Sequence, residues 1–321
     1  MNTAKSDEAT FGRIPVVFFG NGLGDNLLAL PAVRALCAGF EGRARLVLQS
    51  GPHQFLFDGL PVASSVFLKM WTITRNGLEF DTRPALKTLE GCDTFISLAE
   101  WKSSSLNRLR SACQAKVTIG FMNDSDVQLP NLHVDHQFDF MFSIPRHIFP
   151  HLTIDQFSGP IRFPWNVCGA GEEIVRCFEN KVIVGLHPES SEPNKSCAPE
   201  LTERLVRDLL KLRADLAVCV FAQGPEYSTL KAISERLVVF NYLPFDLAAY
   251  LVSRMNLFIG VDSCFLHVCD LCRVPGVGLF GPTESKLWGF RFSTHVHICS
   301  RSLAQMEAGH VIEAASGLIR R

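Results

Sequence analysis

The sequence predicts an α/β protein made of two doubly wound parallel sheets in tandem. The chain has 321 residues, which is more than one hydrophobic core usually serves, so two domains are expected. Short apolar runs rich in Val, Ile and Phe recur along it, and such runs are typical of strands buried on both faces of a parallel sheet. Helix-periodic segments separate many of these runs, which indicates repeated βα units.

Each half of the chain carries its own series of strands. In the first half they are RIPVVFFG, RARLVLQS, SSVFLK, CDTFISL and AKVTIGF, and the clearest helix follows Asp25. The second series begins after FSGPIRFPWNV, with strands at KVIVGLHP, LAVCVFAQG, LVVFNYL, NLFIGVDS and VPGVGLFG. Helical spacing is found there in PELTERLVRDLLKLRA, YSTLKAISERL, DLAAYLVSR and CFLHVCDLCR.

The domain boundary is predicted in the stretch from about His133 to Trp165, which holds several prolines and has poor periodicity. The expected domains are residues 1–160 and 161–321, and the last helix is free to pack back on the N-terminal domain. Ligands of such sheets bind beyond the carboxyl ends of the strands. Functional residues are therefore expected in the loops that follow strands.

Composition excludes several classes of protein. The formal net charge is −1 and no long run of Lys or Arg appears, so no nucleic-acid partner is expected. The N-terminus lacks the pattern of a signal peptide, and no apolar window is long enough to span a bilayer, which predicts a cytoplasmic protein. The 11 cysteines are scattered among apolar residues, so buried thiols and no structural disulfide are expected.

The loop GNGLGDNLLALPAVRAL, residues 20–36, follows the first strand. A dinucleotide-binding fingerprint needs G-x-G-x-x-G and an acid at the end of the next strand. Here the spacing is G-x-G-x-G, and the next strand ends in LQSG. Asp25 lies at the helix start, where the helix dipole favours a carboxylate that would repel phosphate. Helix capping and a catalytic role for Asp25 both stay open on chemistry alone.

Two later loops carry candidate ligand-binding groups. In LHPESSEPNKSCAPE, Ser190 and Ser191 precede Lys195, whose ammonium suits a diphosphate, although a loop lysine is often merely solvated. In AQGPEYS, Gly224 precedes Glu226. This carboxylate suits a ribose diol, with helix capping as the alternative.

A fourth loop, GVDSCFLHVCDLC, joins a buried strand to a helix, so backbone N–H groups at Ser263 and Cys264 are suited to a phosphate, with Asp262 beside them. The same stretch contains C-x-x-H-x-C-x-x-C. At helical spacing Cys264 and Cys269 differ by about 140° around the axis, so one ion cannot reach all four side chains. The histidines of HVDHQFDF match no standard spacing either, and no metal site is predicted.

Three of these segments resemble glycosyltransferase family 9, the bacterial heptosyltransferases that use ADP-activated heptose. They are GLGDNLLALPAVRAL, LHPESSEPNKS and LFIGVDSCFLHVCDLCRVPGVGLFGPTESKLWG, and the resemblance spans roughly Ile14 to Trp288. It implies the GT-B fold: two Rossmann-like domains facing a cleft, with the acceptor on the N-terminal domain and the nucleotide-sugar on the C-terminal one. It also implies an inverting reaction that needs no metal and no cofactor beyond the ADP-linked substrate.

The resemblance assigns roles to particular residues. Asp25 matches the general base, and Lys195 matches the lysine at the donor phosphates. The implied donor site consists of Ser190, Ser191, Lys195, Gly224, Glu226, Asp262, Ser263, Cys264, His267 and Thr283. The implied acceptor site consists of Gly22, Gly24, Asp25 and Asn26. Cys264 replaces the family's usual glycine, and KSCAPE replaces an expected tryptophan–proline pair, so the donor is open to variation.

The predicted function is transfer of a sugar, heptose from ADP-heptose, to an acceptor hydroxyl in lipopolysaccharide core or in natural-product or protein glycosylation. The set of basic residues around EWKSSSLNRLRSACQAK is modest for a polyanionic lipid, so a small or weakly charged acceptor stays open beside the lipid. A monomer is expected, peripheral at the inner membrane if the acceptor is a lipid. A non-catalytic nucleotide-sugar-binding protein and an NAD-type oxidoreductase are the alternatives.

Overall fold

The computed structural model describes residues 12–74, 77–131 and 135–319. The chain divides into two compact units between Gly159 and Pro160. We call them the N-terminal and the C-terminal domain. Each contains one parallel sheet of six strands with helices, which confirms the predicted fold class of two doubly wound α/β domains.

The N-terminal domain has the strand order β3-β2-β1-β6-β7-β8, and β4 and β5 form a separate antiparallel hairpin. Its elements are β1 Pro15–Phe19, α1 Leu23–Gly39, β2 Arg45–Gln49, β3 Ser64–Leu68, β4 Met70–Thr74, β5 Gly77–Phe80, α2 Leu86–Leu89, β6 Thr94–Ser97, α3 Ser104–Cys113, β7 Val117–Gly120, β8 Val127–Gln128 and α4 Gln137–Ile148.

The C-terminal domain repeats this arrangement with the strand order β11-β10-β9-β12-β13-β14. Its elements are α5 Trp165–Arg176, β9 Val182–His187, α6 Pro199–Leu212, β10 Leu216–Ala222, β11 Leu237–Asn241, α7 Phe245–Ser253, β12 Leu257–Val261, α8 Cys264–Leu271, β13 Gly276–Phe280, α9 Ser285–Trp288, β14 His295–Cys299 and α10 Ala308–Ile319.

The central strands form because their apolar runs are buried on both faces. All residues of β1, β10, β12 and β13 are buried, which is the pattern of strands covered by helices on either side. In the C-terminal domain one such layer is α6, whose Leu205 and Leu209 face the strands, together with Val311 and Ala315 of α10. The last helix therefore packs in the C-terminal core.

Two segments differ from the helices that the sequence predicts. The helix α4 lies inside the stretch that appeared aperiodic, and it contains Pro145 near its end. It forms because its bulky apolar side chains pack against α1. The segment YSTLKAISERL is a 3-10 helix over Pro225–Ala232, not an α-helix. Its buried Tyr227 and Leu230 are three residues apart, which matches three residues per turn.

One pair of cysteines also differs from expectation. Cys92 and Cys113 form a disulfide with their Cα atoms 5.9 Å apart, so the prediction of no structural disulfide is wrong. Cys92 precedes β6, and Cys113 is the last residue of the helix that follows it. A βα unit returns the chain to the level where its strand began, which brings the two together although 21 residues separate them. Each of the other nine cysteines keeps its thiol.

A buried acid anchors the loop before β14. Asp270 of α8 has no exposed surface. Its carboxylate accepts hydrogen bonds from the backbone N–H groups of Arg291, Phe292 and Ser293, at 2.8, 2.7 and 2.8 Å. Three charge-assisted bonds satisfy the buried charge, so Asp270 joins the end of α8 to the loop before the edge strand.

We predict that Asp270→Ala lowers the free energy of unfolding by about 3 kcal/mol or more, because three backbone donors lose their acceptor. Asp270→Asn keeps one acceptor oxygen and should lose less. Asp215, whose side chain pairs with Arg213 near the surface, provides the control, and Asp215→Ala should cost much less than Asp270→Ala. Urea denaturation followed by circular dichroism measures the difference, and equal losses for the two alanine variants would contradict the anchoring role.

Candidate active site

Each sheet reverses its strand order at one point, and candidate residues of each domain lie near that point. In the N-terminal domain the reversal falls between β1 and β6, and in the C-terminal domain between β9 and β12. At such a switch point the connections leave in opposite directions and open a crevice at the carboxyl edge. Asp25 lies in the first turn of the helix after β1, and Lys195 and Asp262 lie in the loops after β9 and β12.

The glycine loop after β1 is held by Asn26. This side chain is fully buried, and its Nδ2 donates hydrogen bonds to the carbonyl oxygens of Asn21 and Gly22, both at 2.9 Å. Asn26, predicted at the acceptor, therefore also fixes the loop that precedes α1. Its Oδ1 is buried without a hydrogen-bond partner.

Asp25 is the third residue of α1, whose N-cap position is occupied by Gly22, and Gly24 lies between them in the first turn. A Cβ atom added at Gly22 would lie 3.1 Å from Oδ2 of Asp25. The carboxylate thus folds back over the loop, and the glycine leaves room for it.

A second acid at this switch point, Glu100, was missed by sequence reasoning. The loops after β1 and β6 are tied together, since Trp101 Nε1 donates to the carbonyl oxygen of Gly20 at 3.1 Å. Glu100, half-buried, precedes this tryptophan. Burial, and then the negative charge of Asp25, raise the pKa of Glu100 to about 7. The available signal was an acid directly after the buried strand CDTFISL.

Basic residues near this edge are engaged by the loop after β7. Lys102 Nζ lies 2.5 Å from Oδ1 of Asn123 and 4.0 Å from a carboxylate oxygen of Asp124. Arg110 forms an ion pair with the same Asp124 at 2.9 Å. Part of the positive charge in EWKSSSLNRLRSACQAK is therefore neutralised within the domain.

In the C-terminal domain Lys195 and Asp262 meet across the switch point. Lys195 ends a short 3-10 turn, Pro193–Lys195, in the loop after β9. Its Nζ lies 3.5 Å from Oδ2 of Asp262 and 2.7 Å from Oε1 of Glu192. Burial alone would lower the pKa of the Lys195 ammonium, but the two carboxylates raise it above its ordinary value. The lysine is therefore a permanent cation.

Asp262 joins a further predicted residue to this cluster. Burial raises the pKa of the Asp262 carboxyl, and Lys195 and the Thr283 hydroxyl offset part of that effect. Thr283 follows β13, the strand next to β12, so it lies near this carboxylate at the same edge of the sheet.

The start of α8 lies next to the cluster. Ser263 is the extended N-cap residue, and its hydroxyl is buried without a hydrogen-bond partner. The N–H groups at the start of a helix have no partner within it, so those of Ser263 and Cys264 suit an anion. Burial raises the pKa of the Cys264 thiol to about 12, so no thiolate would repel that anion. His267 lies buried inside α8.

The predicted ribose contacts lie one strand away, after β10. Glu189, not predicted, accepts hydrogen bonds from the backbone N–H groups of Gln223 and Gly224. A Cβ atom at Gly224 would lie 2.3 Å from the carboxylate of Glu226, so only glycine permits this placement. Glu226 is exposed. The structure therefore places the Glu226 carboxylate over Gly224. Glu189 attaches the loop after β9 to this same segment.

The remaining polar residues lie at the end of β9 and in the loop that follows it. The Ser190 N–H donates to Oγ of Ser196 at 3.0 Å, and Ser191 is exposed. The ring of His187, at the end of β9, hydrogen-bonds through Nδ1 to the carbonyl oxygen of Phe221 at 2.7 Å, and burial lowers its pKa to about 4. This neutral histidine, which was not predicted, fixes the start of the loop against β10.

Comparison with known proteins identifies the C-terminal domain. Residues 169–313 match the model of glycosyltransferase family 9 (heptosyltransferase). The C-terminal domain therefore carries the sequence pattern of glycosyltransferase family 9. The family 9 match covers β9 to β14 and therefore the whole Lys195–Asp262 cluster. No curated protein matches the chain in sequence.

Solved structures extend the likeness to the whole fold. A glycosyltransferase family 9 protein from Veillonella parvula has a TM-score of 0.77 at 17% identity, covering 95% of this chain and 97% of its own. The E. coli ADP-heptose LPS heptosyltransferase II has a TM-score of 0.72 at 13% identity, covering 95% and 98%. E. coli heptosyltransferase WaaC with ADP has a TM-score of 0.71 at 12% identity, covering 95% and 99%.

Together these comparisons confirm the predicted GT-B fold and the prediction of a family 9 glycosyltransferase. Within the described residues, no helix combines the length and the apolar character that crossing a membrane requires. In the same part of the chain, no three His, Cys, Asp or Glu side chains are grouped so that they could hold a metal ion.

We predict that Glu100 makes the stability of the protein depend on pH. Its pKa is about 7 when folded against an ordinary value of 4.5, so the folded state keeps a proton that the unfolded chain releases. The contribution of Glu100 to stability therefore falls as the pH rises from 4.5 to 7 and is level above that. Glu100→Gln should stabilise the protein by about 1–3 kcal/mol at pH 8, with little effect at pH 4.5.

Denaturation at the two pH values measures this difference. Exposed Glu90 provides the control, and Glu90→Gln should change stability little at either pH. If Glu100→Gln and the wild-type protein respond to pH in the same way, folding does not raise the pKa of Glu100.

Proposed function

We propose that this protein is an inverting, metal-independent glycosyltransferase that moves heptose from ADP-heptose to an acceptor hydroxyl. The observation that carries the proposal is the Lys195–Asp262 contact at the β9/β12 switch point, inside the region that matches family 9. Residues 161–321 would bind the donor and residues 1–160 the acceptor. Fold alone does not decide chemistry, so the argument rests on these side chains.

The donor diphosphate would be held by Lys195 and by the N–H groups at Ser263 and Cys264. When the bond from the anomeric carbon to the diphosphate breaks, negative charge develops on the leaving oxygen. A cation and a helix N-terminus fixed in place stabilise that charge without reorganising. Glu226 would accept hydrogen bonds from the ribose diol. Since Cys264 and the KSCAPE segment are departures from the family pattern, they are where another sugar or base would be accommodated.

Asp25 would act as the general base on the acceptor hydroxyl. The acceptor oxygen forms the new bond to the anomeric carbon on the face opposite the leaving diphosphate, and its proton passes to Asp25. One displacement from the opposite face inverts the configuration. The placement of Asp25 over Gly22 supports a carboxylate held at the loop surface for this purpose.

The charges near β6 and β7 support a small or weakly charged acceptor, such as a natural product or a protein side chain. Lys102 and Arg110 already pair with Asn123 and Asp124, which leaves less positive charge for a polyanionic lipid. We propose a cytoplasmic monomer; with a lipid acceptor it would work at the inner membrane surface. The presence of both Asp25 and Lys195 argues against a non-catalytic binding protein, and the family match argues against an NAD-type oxidoreductase.

We predict that Asp25→Asn lowers kcat by about 10²–10⁴-fold, the usual contribution of a general base, while donor affinity changes little. The substrates come from nucleotide-sugar and acceptor panels, with products detected by mass spectrometry and donor binding by calorimetry. Exposed Asp58 of the same domain provides the control, Asp58→Asn. Near-normal turnover in Asp25→Asn would exclude it as the base, and failure to bind any nucleotide-sugar would exclude the transferase itself.

A further inference from the structure

Lys195 has two acidic neighbours of different character. Asp262 is held in place, since its side chain is only 10% exposed. Glu192 is the closer acid, at 2.7 Å, and its side chain is 56% exposed. One carboxylate therefore belongs to the wall of the site, whereas the other reaches the ammonium from solvent.

The local charge balance conflicts with diphosphate binding while both acids stay in place. One ammonium between two carboxylates leaves a net negative charge, and a nucleoside diphosphate adds at least two more. Like charges at ion-pair distance repel strongly at a partly buried site. One carboxylate must leave, and Glu192 leaves at lower cost because water already solvates it.

The backbone around Glu192 is arranged so that only its side chain needs to move. Its carbonyl oxygen accepts hydrogen bonds from the Lys195 N–H at 2.9 Å and from the Ser196 hydroxyl at 3.4 Å. Its own N–H donates to Oγ of Ser190 at 3.5 Å. Rotation of the side chain breaks none of these contacts and leaves Lys195 in position.

We propose that Glu192 is an internal substitute for the donor diphosphate, bound to Lys195 while the site is empty and displaced when the diphosphate binds. This inference rests on the proposed function, which makes Lys195 the phosphate-binding lysine. In the catalytic cycle Glu192 returns to Lys195 as the nucleoside diphosphate product leaves, which favours product release. Release of product limits turnover in many transferring enzymes.

The test is Glu192→Gln, which keeps the length of the side chain and removes its charge. Isothermal titration with ADP and with inorganic pyrophosphate should show binding about 3–10-fold tighter than in the wild-type protein, corresponding to about 0.7–1.4 kcal/mol. The gain should shrink as the salt concentration rises, because it is electrostatic. With an active donor and acceptor pair, product inhibition by ADP should become stronger by a similar factor.

Glu203→Gln provides the matched control, since Glu203 is an acid of the same domain that pairs with Arg207 on α6. It should leave both affinities unchanged. A damaged fold cannot produce tighter binding, so the expected gain separates displacement from a structural role. Unchanged or weaker binding in Glu192→Gln, with the wild-type protein still binding ADP, would overturn this inference alone. If neither protein binds ADP or pyrophosphate, the proposed function fails together with it.

Discussion

The reversal of strand order at β1/β6 and at β9/β12 is the constraint on which the candidate site depends. Parallel strands need crossover helices, and where the crossovers change direction no helix covers the carboxyl edge. Polar loops can occupy that gap without disturbing the core beneath them, where β1, β10, β12 and β13 are buried along their whole length. Rigid strands thus carry side chains that the core itself could not accept.

Each switch point concentrates charge that would be unfavourable elsewhere. Asp25 and Glu100 repel each other in the N-terminal domain, and Glu192 and Asp262 share one ammonium in the C-terminal domain. Ligand-binding sites commonly lower the stability of the folded protein in this way, because the charge partner comes from the ligand or from the reaction. The buried Asp270 shows the contrast, since both its carboxylate oxygens accept hydrogen bonds from the domain's own backbone.

What could be predicted from the sequence follows from what its patterns encode. Buried parallel strands appear as uninterrupted apolar runs, so the ten predicted strands are all found. The edge strand β14, HVHIC, was missed because much of it is exposed, and the β4–β5 hairpin lacks the crossover pattern. The helix α4 was not predicted because Pro145 is unusual inside a helix. The family resemblance selected Lys195 and Asp262 from the sequence without showing that their side chains meet.

Contacts between distant segments could not be predicted in the same way. That β6 lies beside β1 is a property of the sheet order, and only this neighbourhood brings Glu100 to Asp25. The same holds for Cys92 and Cys113, which meet because a helix returns beside its strand. Glu192 lies in the loop LHPESSEPNKSCAPE, three residues before Lys195. That spacing brings the two side chains together only because the segment forms a 3-10 turn.

The helix start at Cys264 has a chemical consequence of its own. Cysteines at helix N-termini are usually the most nucleophilic in a protein, because the helix field favours the thiolate. At Cys264 burial works against that field and raises the pKa of the thiol to about 12, so little thiolate is available there at neutral pH to react with alkylating reagents. Such reagents will instead find Cys177 and Cys299, which are free and exposed. The C-terminal domain therefore carries natural attachment points for probes outside α8.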